Sequence, residues 1–289
     1  MSLLHVIILA IIQGMAELLP VSSSAHVVVA EKLMGLDPTS PPMTLLLVML
    51  HTGTMFAVIA YFWNQWRKTY FQNGETFKTI FVQVVVATFF TGMIGGGLIE
   101  GIEKFAFPHA KHAEIEQLFG RLDLIAPALA LVGILILIAG LKKTRNQPAQ
   151  EEGSTGLNTK QAGWIGAVQG LCLPFRGFSR SGATISTGML MGVAKSKAEE
   201  FSFALAVVLT PPAIAREVWR IVKAEHINGA GTLASAMGPS LLGAVFSFVA
   251  GLVALKWLSK WLESGRWHWF GVYCLVAAAA VTYLHHVGY

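Results

Sequence analysis

Six long apolar runs, at 43–63, 80–99, 123–141, 200–215, 238–258 and 269–287, limit what this chain can become. Each approaches the ~20 residues that carry a helix across a bilayer. The run at 200–215 is the shortest and contains Pro211 and Pro212. One such run fits a buried soluble core; six do not. Charged residues make up 13% of the 289, against roughly 25% in soluble domains. The chain therefore reads as an all-α polytopic membrane protein.

Residues 3–12 are apolar but lack a basic leader and a clear cleavage site, so they are expected to belong to the fold. Cys172 and Cys274 lie in apolar segments and suggest no disulfide framework. The net charge of +5 matches basic cytoplasmic loops rather than a nucleic-acid surface.

A polar stretch rich in small residues, "KKTRNQPAQEEGSTGLNTK" at 142–160, divides the chain almost in half. Residues 1–141 and 161–289 follow one plan. A modest apolar helix leads into a loop of small polar residues, a second short helix follows, and three spans complete the half. "QGMAELLP" (13–20) and "QGLCLP" (169–174) both open on Gln-Gly and close on Leu-Pro. Both lead into serine-rich loops, and "KLMG" (32–35) is echoed by "MLMG" (189–192). The short segments 1–19 with 25–36, and 162–173 with 184–194, read as re-entrant pairs around loops at 20–26 and 174–184. Polar, non-helical backbone at membrane depth is tolerated only where protein buries it or water lines it.

Three spans per half make the second half an inverted copy of the first. With the N-terminus outside, the inside loops carry twelve Lys and Arg and the outside segments seven, a bias in the expected direction. Inverted loops entering from opposite sides can meet near midplane and aim their helix N-termini at an anion.

Glu17 raises the sharpest question, because a carboxylate in apolar surroundings is costly unless compensated. Gln13 and Glu17 are four apart, on one helical face. Pro20 ends that helix, and Ser22, Ser23 and Ser24 follow, with Ser24 as a candidate cap for a helix from about Ala25. His26 adds an acid, base or nucleophile. The second loop, "GFSRSGATIST", supplies Arg180 between Ser179 and Ser181, with Thr184 beyond. A guanidinium fork matches phosphate oxygens, and Gly177 and Gly182 let backbone N–H groups approach an anion. The plainer alternative is that Arg180 only neutralises Glu17.

Taken together, these residues resemble the bacitracin-resistance type of undecaprenyl-diphosphate phosphatase, over essentially the whole chain. The family's Glu/Gln-x-x-x-Glu motif is Gln13-Gly14-Met15-Ala16-Glu17, its Pro-Val-Ser-Ser stretch is Pro20-Val21-Ser22-Ser23, and its histidine is His26. Its Pro-Gly-x-Ser-Arg-Ser-x-x-Thr motif runs from Gly177 through Ser179, Arg180 and Ser181 to Thr184. The resemblance implies hydrolysis of undecaprenyl diphosphate to undecaprenyl phosphate, the carrier reused in peptidoglycan synthesis. It implies a site open to the outer side of the bacterial cytoplasmic (inner) membrane and a divalent cation, Mg²⁺ or Ca²⁺. Glu17 would bind metal or handle protons, with Gln13 beside it. Ser23 and His26 would be candidate nucleophile and acid. Arg180 would hold phosphate with Ser22, Gly177, Ser179, Ser181 and Thr184. The chain departs from the pattern twice. The first motif opens on Gln13, leaving one carboxylate there, and Arg176 stands where a proline precedes Gly177.

The partners so implied are a lipid diphosphate and the bilayer, not nucleic acid; a homodimer is left open. The rival class is a transporter that flips a polyprenyl phosphate without chemistry, alone or beside the phosphatase, because inverted repeats with broken helices also build transporters. His51, in "HTGT", is an ionisable group inside the first span, open between a site role and a structural one. His109 and His112 read as a solvated loop.

Overall fold

The computed structural model describes residues 2–36, 40–106, 118, 120–142, 156–228 and 232–288. The regular structure among them is helical throughout: α1 Leu3–Leu18, α2 Ser23–Leu33, α3 Pro41–Thr69, α4 Gly74–Ala106, α5 Leu122–Leu141, α6 Thr159–Cys172, α7 Arg180–Leu190, α8 Lys195–Asn228, α9 Thr232–Glu263 and α10 His268–His286. His109, His112 and most of the polar stretch 142–160 lie outside the described residues.

Six of these helices have the length and apolarity to cross a membrane: Pro42–Thr69, Gly74–Phe105, Leu122–Leu141, Lys195–Trp219, Ala236–Glu263 and His268–His286. They coincide with the six apolar runs and mostly overshoot them, because a helix continues into flanking polar residues once its backbone ladder is laid down. The run around Pro211 and Pro212 is part of the 34-residue α8. The remaining four helices are short. At 1.5 Å per residue, the 16 residues of α1 reach about 24 Å, less than the ~30 Å hydrocarbon core.

The element order repeats. A short helix, an 11-residue helix and three long ones (α1–α5) are followed by the same series (α6–α10). The echo of "KLMG" in "MLMG" acquires a physical meaning here. Gly35 and Gly192 both adopt left-handed backbone, φ +64° and +83°. The N–H of Leu36 donates to the Glu31 carbonyl at 2.9 Å, and the N–H of Val193 donates to the Gly188 carbonyl at 2.9 Å. Both helices are closed by the same glycine-dependent cap.

Two starts differ from expectation. α2 begins at Ser23, so Ser24 lies inside its first turn instead of capping it. α7 begins at Arg180 and not near Thr184, because Ser179 caps it: its Oγ accepts from the N–H of Gly182 at 3.2 Å. Arg180 is therefore the first residue of a helix rather than part of a loop.

The chain packs as two compact units, each drawing on both sequence halves. One comprises Met1–Leu19, Ser23–Tyr61 and Ala206–Leu258; the other Pro20–Ser22, Phe62–Leu205 and Ser259–Tyr289. In the first, Val6, Leu9 and Ala10 of α1, Val27 of α2, and Met43, Leu46 and Leu50 of α3 form a core that Phe246 of α9 packs against. A side chain at Gly14 would strike the Ser247 carbonyl at 2.6 Å, and Ser247 Oγ donates to the Leu50 carbonyl at 3.0 Å. Small residues and interhelical hydrogen bonds take over where lipid weakens the hydrophobic drive.

The second unit uses the same device. Any β-carbon at Gly166 of α6 would overlap the Ala87 backbone of α4. Thr91 Oγ1 lies 2.9 Å from the Gly166 carbonyl, and Gln169 Nε2 donates to Thr91 Oγ1 at 3.1 Å. Trp267 donates its indole N–H to Ser186 of α7 at 3.0 Å.

Candidate active site

The last turn of α1 carries Glu17, and Gln13 sits one turn earlier on the same face. Gln13 Nε2 lies 3.2 Å from Glu17 Oε2 and 2.9 Å from His51 Nδ1. The Gln13 amide thus bridges the Glu17 carboxylate and the His51 ring. Ser23, the first residue of α2, donates its hydroxyl hydrogen to the same Glu17 Oε2 at 2.5 Å. His51 Nδ1 is 3.7 Å from that oxygen. One carboxylate is thus surrounded by a hydroxyl, an amide and an imidazole, with Gln13 almost fully buried and the Glu17 side chain 17% exposed.

His51 belongs to this cluster, although sequence left its role open and 34 residues separate it from Glu17. The available signal was an ionisable group inside an apolar span, which marks function by default. His26 is half-buried on α2, three residues beyond Ser23 and so on the same helical face.

Ser22, just before α2, is the one described non-glycine residue with positive φ, at 68°. It is buried. A non-glycine residue held in the left-handed region stores strain of about 1–3 kcal/mol, and such strain clusters at functional sites.

The second unit presents the Arg180 segment. Ser179 Oγ, capping α7, lies 3.4 Å from Ser181 Oγ. At a helix start the N–H groups of Arg180 and Ser181 point out of the helix end, where an anion is favoured. Gly177 is at φ +101°, and a β-carbon there would sit 2.5 Å from the Ile125 carbonyl, so both conformation and space require glycine. Thr184 is fully buried, with Oγ1 2.8 Å from the Arg180 carbonyl and 2.6 Å from Ser202 Oγ. That hydroxyl braces α7 against α8.

Pro20–Ser22, from the first loop, packs into this second unit. The Pro20 carbonyl accepts from the Cys274 thiol at 3.4 Å and would lie 3.2 Å from a β-carbon at Gly182. The tip of the first polar loop thus touches the first turn of α7.

Among the described residues no three His, Cys, Asp or Glu converge on a common point. The donors at hand are the Glu17 carboxylate and the amide oxygen of Gln13. A hard cation such as Mg²⁺ fits that set, since it is ordinarily held by one or two carboxylates and completed by water and substrate phosphate. The closed nitrogen and sulfur shell of a structural zinc does not.

A family model described as bacitracin resistance protein BacA matches residues 6–280. Undecaprenyl-diphosphatase 2 of Acinetobacter baylyi is 56% identical over 284 residues, covering 97% of this chain and 97% of that protein. Undecaprenyl-diphosphatase 2 of Burkholderia orbicola is 32% identical, with 96% and 95% covered. Undecaprenyl-diphosphatase of Desulfosudis oleivorans is 30% identical, with 96% and 97% covered.

Proposed function

The chain belongs to the bacitracin resistance protein BacA family, and from that premise we propose that it hydrolyses undecaprenyl diphosphate to undecaprenyl phosphate and inorganic phosphate. The observation that carries the chemistry is the Ser23 hydroxyl aimed at Glu17 at 2.5 Å, a potential nucleophile already in contact with a base.

In this reading Glu17 accepts a proton from the attacking hydroxyl, whether of Ser23 or of water. The oxygen so freed bonds to the terminal phosphorus, the bond from that phosphorus to the bridging oxygen breaks, and the bridging oxygen leaves with undecaprenyl phosphate; where Ser23 or His26 is the attacking group, a water then cleaves the phospho-enzyme, releasing inorganic phosphate and restoring the side chain. His26, on the same face of α2, is the candidate to protonate the leaving group or to serve as nucleophile itself. Gln13 and His51 hold Glu17 in place. Arg180, Ser179, Ser181 and the start of α7 bind phosphate oxygens and stabilise charge on the transferred group, with Ser22 and Gly177 shaping the two loops. Glu17 and Gln13 would hold the divalent cation, which when bound supplies positive charge against the developing phosphoryl charge. The same reading places the protein in the bacterial inner membrane with its site open to the outer side, recycling the lipid carrier of cell-wall synthesis.

The test is phosphate release from undecaprenyl diphosphate by purified protein, with and without EDTA, beside Glu17→Ala and Arg180→Ala. Metal-dependent release that both substitutions abolish supports the reading. A folded protein that binds the lipid and moves undecaprenyl phosphate across vesicles without releasing phosphate would replace it with a transporter.

A further inference from the structure

Within the second unit, beside the Arg180 segment, lies a cavity of ≈260 Å³ lined by Ile102, Leu118, Arg121, Leu124, Ile125, Pro174, Phe175 and Arg176. Among the described residues its walls are aliphatic and aromatic except for two guanidiniums. Arg121 stands immediately before the span Leu122–Leu141, and Ile102 lies three residues inside the end of the span Gly74–Phe105. The cavity therefore lies by the ends of two helices long and apolar enough to cross a membrane, and lipid head groups gather around the ends of such helices. Gly177, pressed on the Ile125 carbonyl, holds the Arg176 segment against α5.

From the cavity an apolar stripe descends α5. Leu124, Leu131, Ile134, Ile138 and Leu141 are 41%, 59%, 47%, 54% and 66% exposed, and their spacings of seven, three, four and three residues keep them on one face. A phosphate above an apolar track is the outline of a phospholipid. Asp123 engages Arg121 through Nε at 3.1 Å and through Nη2, which offsets part of the charge. A guanidinium fork matches the oxygens of a phosphodiester.

We propose that this cavity is a binding site for an anionic bilayer phospholipid of the phosphatidylglycerol class, its phosphodiester held by Arg176 and Arg121 and one chain lying along the α5 stripe. Binding there does not depend on the chemistry proposed at Glu17. Arg176 is thereby given a role in holding lipid next to the phosphate segment.

The experiment uses the full chain in nanodiscs of equal phosphatidylglycerol and phosphatidylcholine, with lipids that survive detergent extraction quantified by mass spectrometry. Wild type should retain phosphatidylglycerol preferentially. Arg176→Gln and Arg121→Gln should each lower that preference about fivefold, while Arg176→Lys should keep most of it. Unchanged melting temperature in the glutamine variants separates lost binding from lost folding. Equal retention by wild type and Arg176→Gln would overturn the proposal. So would displacement of the retained lipid by millimolar inorganic phosphate or by undecaprenyl phosphate, which would identify a different occupant.

Discussion

Ser23 gives its hydroxyl hydrogen to Glu17 across 2.5 Å, from the first residue of one helix to the last turn of another. The strained Ser22 at φ 68° precedes it, so the turn that delivers Ser23 is held in a conformation an unconstrained chain avoids. A hydrogen bond from Gln13 Nε2 to the same carboxylate oxygen then helps to orient it. A short contact of this kind between a hydroxyl and a carboxylate is charge-assisted and stronger than a neutral one.

If that pair performs the chemistry, Ser23→Ala and Glu17→Gln should each lower phosphate release by roughly 10²–10⁴-fold while undecaprenyl diphosphate still binds. Initial rates and lipid binding, measured on the same preparations, check this. More than a tenth of wild-type activity in Ser23→Ala would remove the hydroxyl from the chemistry.

His51 does not face substrate in this account; it positions Gln13 and through it Glu17. His51→Ala should therefore raise the Mg²⁺ concentration for half-maximal activity by roughly 10–100-fold, the usual effect of losing a supporting hydrogen bond at a metal site. A Mg²⁺ titration after EDTA treatment gives the midpoint. A fall in maximal rate at an unchanged midpoint would contradict the positioning role.

Arg180→Lys keeps the charge and loses the fork. Turnover should fall by about 10²-fold or more, since removing a preorganised donor from a developing oxyanion costs that much. Rates close to wild type in Arg180→Lys would reduce Arg180 to a counter-charge.

Gly166 has no room for a side chain against the Ala87 backbone. Gly166→Val should lower stability by about 1–3 kcal/mol or more, as overpacking does, seen as a lower melting temperature in detergent. Gly74, with open space around its β-carbon position, is the control: Gly74→Ala should leave the melting temperature nearly unchanged.

Burial, and secondarily the nearby Glu200 charge, hold the Tyr70 phenol well above its usual 10.0. The folded state therefore keeps a proton that the unfolded chain gives up above pH 10. Tyr70's contribution is complete below that pH and is lost as pH rises towards the folded value. Tyr70→Phe should lose less stability than wild type between pH 10 and 11, as measured by thermal unfolding across that range.

Much of the architecture was legible because the membrane imposes it. Six apolar runs of bilayer length lead to six long helices, since unsatisfied backbone is intolerable in hydrocarbon. The paired "KLMG" and "MLMG" marked the repeat in sequence, and the structure adds that the shared glycine, left-handed at Gly35 and Gly192, closes a helix in each half. Gln13 and Glu17 shared a face by helical spacing alone.

What sequence could not supply is every relationship that depends on chain segments returning to one another. Nothing in the serine run singled out Ser23 as the partner of Glu17 or Ser22 as the strained residue. His51 became part of the cluster only when α3 packed beside α1. Thr184 has the spacing of a phosphate ligand, yet α8 places Ser202 beside its hydroxyl. Local residue types and the solvent determine which segments are helical and where they stop. Which side chains then meet is decided by close packing of whole helices, where a glycine or a serine at one crossing sets the approach and its neighbours must follow.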